Sequence, residues 1–324
     1  MSRALPTAIV FALLACLGAS PAAAETATGP PVVPEIGRAM AKRLSHELRE
    51  ARSHGNRVRV FEKVGDSISW STSFLTGLAC HPERLTRRYA YLDRTLRFVR
   101  RARFRPAYTE VYCGVADSFS RNSAATHAGT LSSWPTTPGS TYSAECRPTE
   151  TPIGCETRVL RPAFAIVMLG TNDAAWRRPA DMVTGYLSDI VTELRRRHVV
   201  PILETIPPHR NDPVAEQLVE EYNRGLIRLA RERHLLLVNY WRALRRPNLL
   251  DGGLWIDGVH PNVAGVPASA VPLLCIPKCK PFDFSPHGLR YGYNLRNLVT
   301  LQTLHRALAV TGHLGPRRSS GRAP

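Results

Sequence analysis

Hydrophobic positions along the chain follow two alternating periods, which predict strands and helices in turn. Residues 164–169 form an unbroken apolar run, typical of a strand buried on both faces of a parallel sheet. The segments that follow predict a helix, a strand, a helix and a strand: Met182 to Leu194, 199–206, a helix beginning at Pro213, and 235–238. This alternation indicates an α/β fold with a mainly parallel sheet.

The first half of the chain predicts one more strand, preceded by a helix. Apolar residues recur every four positions within 34–54, and polar and apolar residues alternate over 57–64. That strand runs into a Gly-Asp-Ser sequence at 65–67, and the buried strand at 164–169 runs into Gly-Thr-Asn-Asp at 170–173. Both motifs therefore follow strand ends, where α/β sheets bind their ligands. A last helix is predicted over 294–308.

Less regular segments suggest the domain organisation. Residues 25–35 are rich in Pro and Thr and predict a flexible N-terminus of the mature chain, and 312–324 predict a disordered basic tail. Between them, 36–311 form one domain with two insertions. The first is a surface loop near 130–158, rich in Ser, Thr and Pro, and the second is a Pro-rich loop near 266–287.

The N-terminus predicts export. Arg3 precedes an apolar stretch at 9–17, and small residues at 22–24 precede Glu25, so residues 1–24 are typical of a cleaved signal peptide. The alternative is a lipobox ending at Cys16, which would leave the protein tethered through a lipid. The apolar stretch before Cys16 is short, which favours cleavage and a periplasmic or secreted protein.

Export changes how the cysteines are interpreted. Six remain after the signal peptide, and an even number in an oxidising compartment indicates disulfides. The sequence leaves the connectivity open, but proximity suggests three pairs: Cys146 with Cys155, Cys275 with Cys279, and Cys80 with Cys113. A zinc site is the alternative, although its ligands would more naturally come as close cysteine pairs with histidines nearby.

The chain is strongly basic. Forty-three Lys and Arg against 26 Asp and Glu give a formal net charge of +17, which favours anionic surfaces such as nucleic acid, acidic polysaccharide or phospholipid. Export argues against nucleic acid. Arginines are densest over 87–105, where helical spacing of the apolar residues predicts either a solvated helix face or an anion-binding surface.

Three polar residues carry candidate chemistry. Ser67, at a strand end, could present its hydroxyl to a cleft or cap the following helix. His260 could serve as its base, with Asp257 three residues earlier holding the imidazole in the right tautomer. The alternative for that pair is a turn Asp beside a surface His.

Asn172 follows the buried strand, so its side-chain amide could donate to the oxyanion of a tetrahedral intermediate. An ordinary turn residue is the alternative. The occurrence of the motifs at 65–67, 170–173 and 257–261 together and in this order favours the catalytic interpretation over the separate structural ones.

The motifs at 65–67, 170–173 and 257–261 resemble the first, third and fifth blocks of the SGNH, or GDSL, hydrolases. The resemblance implies a flavodoxin-like three-layer sandwich with Ser67 as nucleophile, His260 as base and Asp257 as its partner. It further implies an oxyanion hole formed by Asn172 and the Ser67 backbone amide. For the second block, Gly129 is the candidate that completes the hole and Gly114 is the alternative.

We therefore expect an exported serine esterase that works through an acyl-enzyme without metal or cofactor. A small-molecule or glycan ester is the expected substrate, with an acetyl ester on a polysaccharide as the candidate that suits a basic exported protein. Two alternatives remain open: an acyltransferase, and a module that binds anionic glycan through the arginine-rich helix while the hydrolase pocket is idle.

Overall fold

A parallel four-stranded sheet forms the centre of the molecule. The computed structural model describes residues 29–81, 85–104, 116–267 and 279–315. Neighbouring strands lie in chain order: β1 (Arg57–Gly65), β2 (Pro162–Met168), β3 (Val200–Glu204) and β4 (Leu236–Val238). Every residue of β2 is buried, because this apolar strand lies between two others and beneath helices on both faces.

One further segment lies beside β1. Thr126 forms a parallel bridge to Gly65, whose other neighbour is Met168 of β2. The spatial order is therefore the Thr126 segment, β1, β2, β3 and β4, the 2-1-3-4-5 order of flavodoxin-like folds. The predicted α/β class and parallel sheet are confirmed.

Helices cover the sheet in two layers. The helices are α1 (Arg38–Ser53), α2 (Ser67–Trp70), α3 (Thr76–Cys80), α4 (Asp93–Arg100), α5 (Pro152–Leu160), α6 (Thr171–Ala175), α7 (Ala180–Arg196), α8 (Pro213–Glu232), α9 (Tyr240–Ala243) and α10 (Gly292–Val310). Helix α10 contacts α1 and α4, whereas α7 contacts α8. Within the described residues, no helix has the length and apolar character needed to cross a membrane.

Helix α8 begins where the sequence supplies capping groups. The Asp212 side chain accepts a hydrogen bond from the Ala215 amide at 3.0 Å, and Pro213 occupies the first turn of α8. The same helix buries Val219 and Tyr222 against the core. Capping and an amphipathic face together explain why this segment is a helix.

The first predicted insertion contains an unexpected helix. Residues 152–158, expected to be surface loop, lie in α5, which buries Ile153 and Cys155. Two of the Thr and Pro residues whose abundance suggested a loop start the helix instead: Thr151 accepts from the Gly154 amide at 2.9 Å and Pro152 fills the first turn. The loop interpretation is wrong for this part of 130–158.

The Cys146–Cys155 disulfide is present, as predicted. Cys80 and Cys279 are also disulfide-bonded, but their predicted partners Cys113 and Cys275 lie outside the described residues.

The termini are only partly described. Within the segment expected to be flexible, the Val32 carbonyl accepts from the Asn239 amide and Arg306 donates to the Val33 carbonyl, so this stretch contacts the domain. The signal peptide and lipobox predictions lie outside the described residues, as does the tail from 316 onward.

Candidate active site

The Gly-Asp-Ser motif turns the chain sharply from β1 into α2. A Cβ on Gly65 would lie 2.7 Å from the Met168 carbonyl oxygen, so a side chain does not fit between these strands. Asp66 caps the helix by accepting from the Ile68 amide at 3.0 Å. Ser67 is thereby the first residue of α2, at the carboxyl end of the sheet where its strand order reverses. The cap expected as the alternative role of Ser67 belongs to Asp66.

Ser67, His260 and Asp257 form a continuous hydrogen-bonded chain. The Ser67 Oγ lies 2.8 Å from His260 Nε2 although the residues are 193 positions apart, and His260 Nδ1 lies 2.6 Å from Asp257 Oδ2. With Nδ1–H donating to Asp257, Nε2 presents its lone pair to the Ser67 hydroxyl. This arrangement can remove the hydroxyl proton during nucleophilic attack.

The Asp257 carboxylate is held by its own turn. It accepts from the backbone amides of Val259 and His260, both at 3.0 Å. Burial alone would raise the pKa of Asp257, but the hydrogen bonds from the His260 side chain and these two amides outweigh it and lower the pKa below its usual value. Asp257 is therefore ionised at neutral pH and can stabilise an imidazolium at His260.

Asn172 and Asp173 lie in the first turn of α6 and hold the segment that contains Gly129. Asn172 Nδ2 donates to the Thr130 carbonyl at 2.9 Å. The Ser132 amide and hydroxyl donate to the buried Asp173 carboxylate at 2.8 and 2.9 Å. Burial raises the pKa of Asp173 despite these bonds. Asn172 keeps a second amide N–H that can serve an oxyanion.

Gly129 lies in an exposed turn within this segment. Its φ of +77° is a conformation that favours glycine, and no heavy atom lies within 4 Å of a Cβ built on it. The Thr126 bridge to Gly65 and the contacts to α6 bring this turn to the same edge of the sheet as Ser67. The alternative, Gly114, lies outside the described residues.

A buried ion pair that the sequence did not indicate lies beneath the turn that carries Ser67. Arg296 of α10 is fully buried and donates to the Ile68 carbonyl at 2.8 Å and the Ser69 hydroxyl at 2.9 Å. It also pairs with fully buried Glu204, at the end of β3, at 2.8 Å. The Tyr293 hydroxyl donates to the same Ile68 carbonyl at 3.1 Å. These contacts position α2.

The loop 207–212 after β3 supports the Asp257 turn. The Arg210 amide donates to the Gly258 carbonyl and Asn211 Nδ2 donates to the Ile256 carbonyl, both at 2.9 Å. Gly258 has φ +72°, and a Cβ there would lie 2.7 Å from the Asn211 side chain. Asp212 pairs with Arg177 after α6, so one loop contacts the elements that carry both Asp257 and Asn172.

A family model described as GDSL-like lipase/acylhydrolase matches residues 16–266. The chain belongs to this family. The resemblance found in the three motifs is therefore confirmed, and the protein is an ester hydrolase.

Solved structures with similar folds include several esterases. A GDSL-like lipase from Bacteroides thetaiotaomicron is 15% identical, with 82% of this chain and 100% of that chain covered and a TM-score of 0.43. A carbohydrate esterase family 3 protein from Talaromyces cellulolyticus is 16% identical, with 77% and 99% covered and a TM-score of 0.48.

A catalytic mutant of an acetylxylan esterase from Geobacillus stearothermophilus is 16% identical, with 75% of this chain and 93% of that chain covered and a TM-score of 0.41. A search of curated proteins finds no match.

The arginine-rich stretch of this GDSL-like hydrolase contacts its own fold. Arg97 pairs with Asp93 at 2.8 Å, and Arg100 and Arg103 lie 3.7 and 3.6 Å from the buried Asp117 carboxylate. These partners favour the interpretation of the stretch as a helix face over that of an anion-binding surface.

One cluster of metal-ligating side chains occurs in the part of the chain that the structure describes. Glu50, His54 and His198 have ligand atoms within 4.8 Å of one another. His54 and His198 lie just before β1 and β3 begin, at the edge of the sheet opposite to Ser67. Cys146 and Cys155, considered above as zinc ligands, are joined in a disulfide.

Proposed function

We propose that this GDSL-like ester hydrolase is an exported serine esterase that works through an acyl-enzyme at Ser67. His260 is its general base and Asp257 fixes the imidazole. The observation that carries the proposal is the hydrogen-bonded chain from Ser67 Oγ through the ring of His260 to Asp257, with distances of 2.8 and 2.6 Å.

The two half-reactions use the same proton acceptor. As Ser67 Oγ attacks the ester carbonyl, His260 Nε2 takes the hydroxyl proton and later gives it to the departing alcohol oxygen. Water then attacks the acyl-enzyme, loses a proton to Nε2 and releases the carboxylic acid and the Ser67 hydroxyl. Asp257 stays ionised throughout and stabilises the imidazolium.

The oxyanion formed in each half-reaction needs hydrogen-bond donors directed at the former carbonyl oxygen. The Ser67 and Gly129 backbone amides and the free N–H of Asn172 are the proposed donors. The hydrogen bonds between α6 and residues 130–132 support this assignment, because they fix the Gly129 turn relative to Asn172.

We further propose a polysaccharide acetyl ester as substrate. The net charge of +17 and the predicted signal peptide support an exported enzyme that approaches anionic cell-surface or extracellular polymers. The Cys146–Cys155 disulfide supports an oxidising compartment.

The first experiment measures turnover of 4-nitrophenyl acetate by the purified protein. Ser67→Ala should lower kcat/KM at least a thousandfold. The matched control is Ser53→Ala, which changes an exposed serine at the end of α1. If Ser67→Ala turns over the ester as fast as the wild-type protein, the assignment of Ser67 as the nucleophile is wrong.

The second experiment traps the enzyme with a serine-reactive fluorophosphonate and maps the adduct by mass spectrometry. The expected label is on Ser67, and label on another residue contradicts the assignment. Incubation of an acetyl donor with a sugar acceptor then measures the partition between free acetate and acetylated sugar, which separates hydrolysis from acyl transfer.

A further inference from the structure

The most exposed large hydrophobic side chains are concentrated around the candidate active site. Among the described residues, Trp176, Ile256 and Tyr142 have the highest exposed fractions of this type, at 72%, 69% and 65%. Exposed apolar groups that cluster at one place on a surface commonly mark a ligand-binding site.

Trp176 shares a helix face with the proposed oxyanion donor. It follows Asn172 by four residues, and its amide donates to the Asn172 carbonyl at 3.0 Å. Residues four apart on a helix lie one above the other on the same face. Trp176 therefore lies on the same face as Asn172, one turn further along the chain.

Ile256 lies on the other side of the loop 207–212. It immediately precedes Asp257, and its carbonyl accepts from Asn211. The next residue of the loop, Asp212, pairs with Arg177, the neighbour of Trp176. These two contacts place the loop between the Trp176 and Ile256 backbones.

Tyr142 lies against the strand edge next to the nucleophile. Its ring stacks on His127 with centroids 3.8 Å apart and planes inclined by 20°. The His127 amide donates to the Gly65 carbonyl at 3.1 Å, two residues before Ser67. His127 is also two residues before Gly129, so Tyr142 borders the proposed oxyanion loop.

We infer that Tyr142, Trp176 and Ile256 form a glycan-binding rim that packs against sugar rings of the alcohol part of the ester. The inference rests on the proposed esterase function and specifies its alcohol. The C–H face of a pyranose ring is apolar and flat, and an exposed aromatic ring matches it while its hydroxyl groups stay in water.

The arrangement of the rim favours a chain of sugars over a long acyl chain. Polar residues of the loop 207–212, including half-buried His209 and exposed Arg210, separate Trp176 from Ile256. An acyl chain of eight carbons or more needs a continuous apolar channel to remove its surface from water. Separate apolar faces with hydrogen-bonding groups between them suit linked rings instead.

A binding experiment tests the rim without catalysis. In Ser67→Ala, calorimetry measures the affinity for partially acetylated hexasaccharides of xylose, glucose and mannose. At least one should bind, and adding Trp176→Ala should weaken its binding tenfold or more, with Trp176→Phe restoring most of it. Tyr91→Ala is the matched control, because Tyr91 is an exposed aromatic that hydrogen-bonds to α10.

Tryptophan fluorescence gives a second readout. Trp134, Trp241 and Trp255 are buried and Trp70 is half-buried, so the difference in acrylamide quenching between Ser67→Ala and Ser67→Ala/Trp176→Phe reports on Trp176. The bound hexasaccharide should reduce that difference. No binding of any of the three sugars, or binding that survives Trp176→Ala unchanged, would overturn the inference. This result is independent of whether Ser67 is the nucleophile, which the fluorophosphonate label decides separately.

A kinetic experiment tests the alternative that the rim binds the acyl chain of the ester. Trp176→Ala should lower the ratio of kcat/KM for the acetylated sugar to kcat/KM for 4-nitrophenyl acetate by tenfold or more. If the variant instead lowers turnover of 4-nitrophenyl octanoate and leaves the sugar ratio unchanged, the rim binds acyl chains and the inference is wrong.

Discussion

The buried Arg296–Glu204 pair gives the sharpest prediction about how the turn that carries Ser67 is held. Arg296→Met removes the hydrogen bonds to the Ile68 carbonyl, the Ser69 hydroxyl and Glu204. It leaves the Glu204 carboxylate buried with the Thr300 hydroxyl as its one remaining side-chain partner among the described residues. Breaking a fully buried ion pair by removing one partner costs about 3–5 kcal/mol. Natural domains have only about 5–15 kcal/mol of stability, so the variant should be severely destabilised.

A milder substitution separates stability from positioning. Arg296→Lys keeps a positive charge beside Glu204, but its donors all lie on one nitrogen. They cannot reach the three separate positions where Nε, Nη1 and Nη2 of the guanidinium donate to Glu204, Ile68 and Ser69. We expect the folded fraction to be retained at low temperature while kcat on 4-nitrophenyl acetate falls about tenfold and KM changes little, because the altered turn misplaces the Ser67 hydroxyl.

The assays are urea unfolding followed by fluorescence and initial rates normalised to folded protein. The double variant Arg296→Met/Glu204→Met should be less destabilised than the sum of its single variants, with a coupling of about 1–3 kcal/mol. The reasoning is refuted if Arg296→Met costs under about 1 kcal/mol, or if the two single effects add without coupling.

Three further predictions concern the surroundings of the site. Burial raises the pKa of Asp66 from 3.8 to about 6, so this group's contribution to stability is present below about pH 4 and lost as pH rises through about 6, a change of about 3 kcal/mol. Asp66→Asn, which keeps a capping group, should flatten that part of the urea-unfolding pH profile; an unchanged profile contradicts the assignment. Cys146→Ser opens a disulfide with a sequence separation of 9 and should cost about 2–3 kcal/mol in urea unfolding under oxidising conditions, with exposed Ser53→Ala as control; no loss contradicts it. Asn211→Ala removes a hydrogen bond to the Asp257 turn worth about 1 kcal/mol and should lower kcat on 4-nitrophenyl acetate about fivefold, whereas a change confined to KM would contradict a positioning role.

Most of the sheet could be predicted because its strands carry their own pattern. The apolar run at 164–169 and the alternation at 57–64 correspond to β2 and β1 within a few residues. Both strands are followed by a glycine motif that marks where the strand ends, so the local sequence pattern and the tertiary structure agree. The α5 helix was not predicted because the Thr151–Pro152 pair at its start is equally typical of a turn.

The candidate catalytic residues were predictable for a different reason. Ser67, Asn172 and His260 each belong to a short turn motif, and such motifs can be recognised in the sequence without knowledge of packing. What the sequence could not show was the meeting of Ser67 and His260, 193 residues apart, at 2.8 Å.

The supporting residues could not be found from the sequence. Arg296 lies among leucines of α10, where an arginine normally reads as the solvent side of an amphipathic helix. Only the tertiary contact with Glu204, at the end of β3, makes burial of its charge tolerable. A charged residue whose partner is 92 positions away has no local signal.

The contrast between the bonds that hold the Ser67 turn and the exposed side chains around it suggests a fixed reacting centre with a rim that tolerates substitution. The turn that carries Ser67 is held by a buried bond from Arg296, and its proposed base His260 by a half-buried bond to Asp257; both are charge-assisted bonds that few substitutions satisfy. The side chains of Trp176, Ile256 and Tyr142 are mostly exposed to solvent, where a substitution costs little stability. Changes in the rim should therefore alter which alcohol is bound while the acyl-transfer chemistry at Ser67 is preserved, and comparing Trp176→Ala with Arg296→Lys on the sugar ester and the aryl ester tests that division directly.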